Sequence, residues 1–166
     1  MPNRRETLRR AGHLAGAAFG LHGLFASASA QAARQYEVMH TEAEWKTLLT
    51  PAEFRVLRQS DTEPPHSSPI NREQRNGTFA CAACALQLFS SDTKFKSGTG
   101  WPSFWAPLEG TVDELEDGLF FFKRTEVVCH RCGGHLGHVF EDGPKPTGLR
   151  YCLNGVALNF KPAAPS

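Results

Sequence analysis

Two short cysteine pairs constrain this chain more than any other feature. Cys81 and Cys84 form one C-x-x-C, and Cys129 and Cys132 form a second. A tight turn at i, i+3 spacing aims two sulfurs at one centre, and two such knuckles can supply four thiolates in tetrahedral array. The pattern therefore predicts one structural zinc ion held by Cys81, Cys84, Cys129 and Cys132, contributing on the order of 10 kcal/mol to folding. Three alternatives compete. One pair can be a redox disulfide, but that motif sits at a strand-to-helix junction of a βαβ unit, and no such unit is visible here. Both pairs can be structural disulfides. The run "CHRCGGHLGH" also spaces Cys129, Cys132, His135 and His138 for a mixed cysteine–histidine site. His130 reads as an exposed turn residue, and His40 and His66 as ordinary histidines.

The 166 residues suffice for one domain with a real core. The first thirty read as an address. A basic head, "NRRETLRR", precedes a weakly apolar run and the small residues "ASASAQA". This is the order of an export signal, and Arg-Arg-x-x-Leu-Arg resembles the twin-arginine type, with Thr7 where Phe is common. His13, His22 and four glycines make the run a poor membrane span. Residues 1–30 are thus expected to direct export to the periplasm, leaving 31–166 as the working domain. Setting aside the head's four arginines and one glutamate takes 18 basic and 17 acidic residues to 14 and 16, about −2 overall. That balance does not suggest a nucleic-acid partner. No membrane attachment is expected after processing, and a monomer is expected.

Thr41 with Glu44, and Thr50 with Pro51 and Glu53, are helix-start signals and predict short helices over 41–49 and 51–58. "SDTEPPHSSPIN" is too rich in Pro and Ser for regular structure. From Asn76 onward short β-prone runs alternate with Gly and Pro clusters, which predicts an antiparallel β domain.

The fifth cysteine, Cys152, lies in "GLRYCLNGVALNF", residues 148–160, which reads as a strand. Alternation turns Leu149, Tyr151 and Leu153 one way and Arg150, Cys152 and Asn154 the other. The thiol then shares a face with a cation, which favours thiolate over thiol. A buried inert cysteine is the competing reading. Gly137 can permit a bulge that brings His135 and His138 to one side, and Gly155 a kink after the strand. Trp101, Phe104 and Trp105 in "SGTGWPSFW" either line a small apolar pocket or cap the core.

Taken in order, "CAAC", "SGTGWPSFW" and "CHRCGGHLGHVFEDGPKPTGLRYCLNGVALNF" resemble the methionine-(R)-sulfoxide reductases, from about Tyr36 to Phe160. The resemblance implies a mainly β fold of two antiparallel sheets with short N-terminal helices and a structural zinc. It implies that Cys152 attacks the sulfoxide sulfur, that His135, His138 and Asn154 handle the departing oxygen, and that Trp101 packs on the substrate methyl. Arg150 is placed with Trp101 as substrate-binding. The substrates implied are oxidised proteins bearing methionine-R-sulfoxide. Two departures stand out. Thr99 occupies the place of a resolving cysteine, so an external thiol, from a thioredoxin-like protein or a small molecule, is expected to reduce the Cys152 sulfenic acid directly. Gly155 and Ala157 replace serines found in many members. The alternative is a zinc-ribbon binding module without catalysis, in which Cys152 is filler.

Overall fold

The computed structural model describes residues 35–118 and 124–164. The export signal expected over 1–30 lies outside them, as do residues 119–123 of the apolar run at 118–124. Two helices come first, α1 at Glu42–Leu48 and α2 at Pro51–Gln59. Both begin as the sequence predicts, within a residue at each end. The Thr41 hydroxyl accepts from the Glu44 amide while the Glu44 carboxylate takes the Thr41 amide at 2.7 Å, and Thr50 and Glu53 repeat the exchange at 2.8 Å. Each box satisfies donors that a helix start otherwise leaves open. Trp45, Phe54, Val56 and Leu57 bury the helices' inner faces.

Nine strands follow among the described residues. They are β1 (Gly77–Cys81), β2 (Gln87–Ser90), β3 (Lys94–Phe95), β4 (Ser103–Phe104), β5 (Val112–Asp117), β6 (Arg124–Cys129), β7 (His135–Phe140), β8 (Arg150–Leu153) and β9 (Leu158–Pro162). They form two antiparallel sheets, ordered β2–β1–β9 and β3–β4–β8–β7–β6–β5. The helices and the antiparallel β domain are the ones the sequence patterns predict, and the two-sheet arrangement is the one the resemblance implies.

The core joins the sheets through aromatic packing. Phe79 of β1 meets Phe104 of β4 at 5.0 Å between ring centroids, and Phe89 of β2 meets Phe104 at 4.6 Å and Tyr151 of β8 at 5.7 Å. Phe104 is therefore a core residue, whereas Trp101 and Trp105 remain partly exposed. Among the described residues no helix is long and apolar enough to cross a membrane.

One local expectation is corrected. Residues 148–160 are not one strand. β8 stops at Leu153, a 3-10 turn occupies Gly155–Ala157, and β9 then leaves for the other sheet. The kink foreseen at Gly155 is this turn. A Cβ at Gly155 would fall 2.3 Å from the Ser68 hydroxyl oxygen, so the turn packs against Ser68 only because the residue is glycine.

Candidate active site and metal centre

The cysteine knuckles close on each other. Cys81 ends β1 and Cys129 ends β6, so one pair hangs from each sheet. The backbone rings match: Ala85 N–H donates to Cys81 O at 2.9 Å, and Gly133 N–H to Cys129 O at 2.8 Å. Cys81 and Cys132 sulfurs are 3.7 Å apart, and Cys84 and Cys129 sulfurs 3.5 Å. A disulfide needs about 2.05 Å. Four sulfurs around a zinc ion at ~2.3 Å have tetrahedral edges of about 3.8 Å. All four lie within 4.8 Å of one another, and no histidine joins the group. The spacing fits zinc and argues against both disulfides and the mixed cysteine–histidine site. Crowding also splits the thiols' proton affinities. Hydrogen bonds among them push Cys81 and Cys129 up and Cys84 and Cys132 down. A divalent cation is the group that holds all four as thiolates.

Cys152 stands apart from this cluster and is partly exposed. Its surroundings follow from strand register. Ser103 of β4 and His138 of β7 lie directly opposite Cys152, on its two sides. Glu126 of β6 lies opposite His138. Directly opposed residues share a face, so Ser103, Cys152, His138 and Glu126 form one row across four strands. Tyr151 and Leu153 take the other face and are buried, as the alternation predicts.

A bulge adds His135 to that row's face. Gly137 opposes Val127 and His135 opposes Val128, which leaves Leu136 as the extra residue. Without it His135 and His138 would face opposite ways. With it their ring centroids are 5.4 Å apart. The bulge the sequence analysis placed near Gly137 is present, and Gly137 has a second duty. A Cβ there would lie 2.1 Å from the Cys152 carbonyl oxygen, so only glycine lets β7 approach β8 so closely.

Each imidazole has its own carboxylate. Glu126 Oε1 is 2.6 Å from His135 Nδ1, and Asp117 Oδ2 is 3.2 Å from His138 Nε2. The carboxylate accepts a hydrogen bond from Nδ1–H, so His135 Nε2 carries the free lone pair. That nitrogen is buried and has no hydrogen-bond partner among the described residues. A buried polar atom left open in this way is a place for water or substrate.

Burial lowers the His135 pKa from its ordinary 6.5, against the upward pull of Glu126, with His138 and Asp117 adding smaller opposed effects. A testable slope follows. Well above pH 6.5 the imidazole is neutral whether the chain is folded or not. As pH falls below 6.5, the unfolded chain takes up a proton that the folded one resists, so stability is lost until the folded imidazole is also protonated. His135→Gln should flatten this decline, which one proton limits to about 1.4 kcal/mol per pH unit. Denaturant midpoints at pH 7.5 and 5.5 measure it; identical slopes in both proteins contradict it.

The remaining predicted residues also meet here. Arg150 donates through Nε and Nη2 to Asp142 at 2.8 and 2.9 Å and stacks 4.4 Å over the Phe140 ring. Asp142 raises its pKa first, and the Cys152 sulfur adds a smaller attraction. Arg150, expected to bind substrate, holds Asp142 with its fork and lies as a cation near the thiol. Thr99 Oγ1 lies 3.8 Å from the Cys152 sulfur and 2.9 Å from Ser97 Oγ. Asn154 is buried, its Oδ1 accepting from the Glu63 amide at 3.0 Å and its Nδ2 donating to Leu136 O at 3.1 Å. Trp101 donates its indole N–H to the Glu63 carbonyl at 3.0 Å.

His130 is exposed and pairs with Asp113 at 3.1 Å, as a turn residue should. Sequence reasoning missed Glu63, Asp117 and Glu126. Glu63 sits in an irregular loop, and the two acidic strand residues gain meaning only through cross-strand register.

The SelR domain matches residues 49–162. A protein of Leptospira interrogans named peptide methionine sulfoxide reductase MsrB is 52% identical over 127 residues, covering 76% of this chain and 97% of its own length. Proteins of the same name from Methanosarcina barkeri (56% identical over 128 residues, 76% and 90% covered) and Acinetobacter baumannii (52% over 126 residues, 75% and 91% covered) match comparably. The chain belongs to the MsrB family of peptide methionine sulfoxide reductases, and is an oxidoreductase of that kind.

Proposed function

We propose that this enzyme reduces the R epimer of methionine sulfoxide, chiefly in proteins, through Cys152. The observation that carries the reading is the row Ser103–Cys152–His138 beside the unpartnered His135 nitrogen, with the other four cysteines gathered elsewhere. A sulfoxide presents an apolar methyl and a strongly polar oxygen. Trp101 offers an aromatic wall for the first. The His135 Nε2 lone pair can hold a water whose own O–H donates to the second, and His138 and Asn154 stand beside it as charge grows on oxygen.

In the proposed cycle the Cys152 thiolate attacks the sulfoxide sulfur and a sulfur–sulfur bond forms. The sulfur–oxygen bond weakens as one proton, equal to the one lost when the Cys152 thiol ionised, reaches the oxygen. Oxygen ends on Cys152 as a sulfenic acid, the sulfur–sulfur bond breaks, and methionine leaves. Two electrons pass from the cysteine sulfur to the substrate sulfur. Two external thiols then restore Cys152, yielding their disulfide and one water. Zinc on Cys81, Cys84, Cys129 and Cys132 would hold the two sheets in place and takes no part in these steps. Turnover of R-sulfoxide with dithiothreitol, far above any residual turnover of S-sulfoxide, is the expected assay result. Equal turnover of both epimers, or of S alone, overturns the reading. Replacing His135 or His138 should lower the rate while bound zinc stays constant.

Direct reduction by an outside thiol follows from the cysteine inventory. Position 99 is in reach of the nucleophile but carries a hydroxyl. Thr99→Cys should therefore convert the cycle. After one turnover without reductant, a disulfide between the introduced thiol and Cys152 should replace the sulfenic acid in most molecules, read by peptide mass. Persistence of the sulfenic acid in the variant contradicts this. Export through a twin-arginine route is part of the same proposal. That route carries folded chains, so the four thiolates would be occupied by zinc before they meet an oxidising compartment. Mass analysis of the secreted form, beginning near residue 31, tests it; a chain retained in the cytoplasm at full length contradicts it.

A further inference from the structure

Glu63 binds three separate parts of the site. Its carbonyl accepts the Trp101 indole N–H at 3.0 Å. Its amide donates to Asn154 Oδ1 at 3.0 Å. Its carboxylate accepts the amides of Gly155 at 2.7 Å and Val156 at 2.9 Å. These last two open the 3-10 turn that follows the nucleophile's strand. The two bonds to the carboxylate are charge-assisted, and they anchor the whole segment. Asn154 is then gripped at both ends of its amide, by Glu63 and by Leu136, so it cannot flip.

We propose that Glu63 is the positioning residue that fixes the aromatic wall of Trp101 relative to the polar wall of Asn154, and that this fixed spacing reads the handedness at sulfur. The inference rests on the sulfoxide-reductase reading. A sulfoxide sulfur carries an oxygen, a methyl, the side-chain methylene and a lone pair. With the peptide and the attacking sulfur held, the two epimers differ by which wall meets the methyl and which meets the oxygen. Discrimination requires that neither wall adapt. Trp101 lies in the loop between β3 and β4, and Asn154 lies just past the end of β8, so neither is held by a strand of its own. One residue ties them together.

Glu63→Gln is the test. Glutamine keeps an acceptor for one of the two amides but turns an N–H toward the other, a donor against a donor. The main-chain bonds to Trp101 and Asn154 then lose their anchor. The expected result is a fall of roughly tenfold in kcat for the R epimer, the size of one lost charged hydrogen bond, with KM changing less. The R-over-S ratio of kcat/KM should fall several-fold, and the Trp101 indole proton should exchange faster with solvent. Zinc content should be unchanged. A variant with wild-type kcat and ratio overturns the inference. So does an equal loss for both epimers, which marks a role in stability alone. Should Glu63→Gln fail to fold, Glu63→Asp keeps the charge on a shorter arm and is read for the same ratio. A wild-type enzyme without R-selective turnover removes the reductase reading instead, so the two failures are distinguishable.

Discussion

Cys152→Ser will abolish sulfoxide turnover while leaving fold and zinc in place. The first step needs a polarisable nucleophile that can attack sulfur, and the second needs that atom to accept oxygen. A serine oxygen attacks poorly and has no sulfenic counterpart, since the equivalent product would carry an oxygen–oxygen bond. The loss should therefore be at least about a thousandfold rather than partial. Stability should barely move. Cys152 is partly exposed on the polar face, and exchanging sulfur for oxygen there removes little buried apolar area, so a change within about 1 kcal/mol is expected. Residual turnover within tenfold of wild type contradicts the assignment of the nucleophile.

Loss of the metal should have the largest effect on stability. Cys81 and Cys84 belong to the turn after β1, in the three-stranded sheet; Cys129 and Cys132 belong to the turn after β6, in the six-stranded one. The ion would therefore fasten the sheets at one edge of their shared aromatic core. A structural zinc supplies on the order of 10 kcal/mol. Whole domains are stable by only about 5–15 kcal/mol. Cys129→Ser, or complete chelation, should thus unfold the chain at 37 °C or lower its melting temperature by roughly 20–40 °C. Thermal circular dichroism with metal content measured on the same sample checks this. An unchanged melting curve in verified metal-free protein contradicts a structural role for the ion.

Local signals in the sequence carried much of this architecture. The capping boxes at Thr41 and Thr50 have their meaning within four residues, and both helices start where those residues say. The cysteine spacing is equally local, because each knuckle is a single turn. Strand alternation correctly sorted Tyr151 from Cys152, since a period of two needs no tertiary information. What was not legible depends on register or on long contacts. Gly155 marks the kink after Leu153, but the switch of the chain to the other sheet rests on a contact with Ser68, 87 positions earlier in the chain (155 minus 68). Glu126 looks like a solvent-facing strand residue until the Leu136 bulge swings His135 onto its side of the sheet, and Asp117 until cross-strand register brings His138 beside it. Glu63 sits between Thr62 and two prolines in a stretch that reads as irregular, and its four partners lie 38 to 93 residues away. The family resemblance named Cys152, both histidines, Asn154 and Trp101, and the structure places all five around hydrogen bonds and pairings that meet at one end of β8.

The division of labour among five cysteines is the central claim, and one measurement reaches it directly. Enzyme is treated with one equivalent of R-sulfoxide in the absence of reductant, trapped with a sulfenic-acid reagent, and mapped by peptide mass. The account predicts one trapped sulfenic acid, on Cys152, with Cys81, Cys84, Cys129 and Cys132 unmodified and zinc retained. A disulfide linking Cys152 to any of those four, or oxidation among them with zinc released, would contradict it.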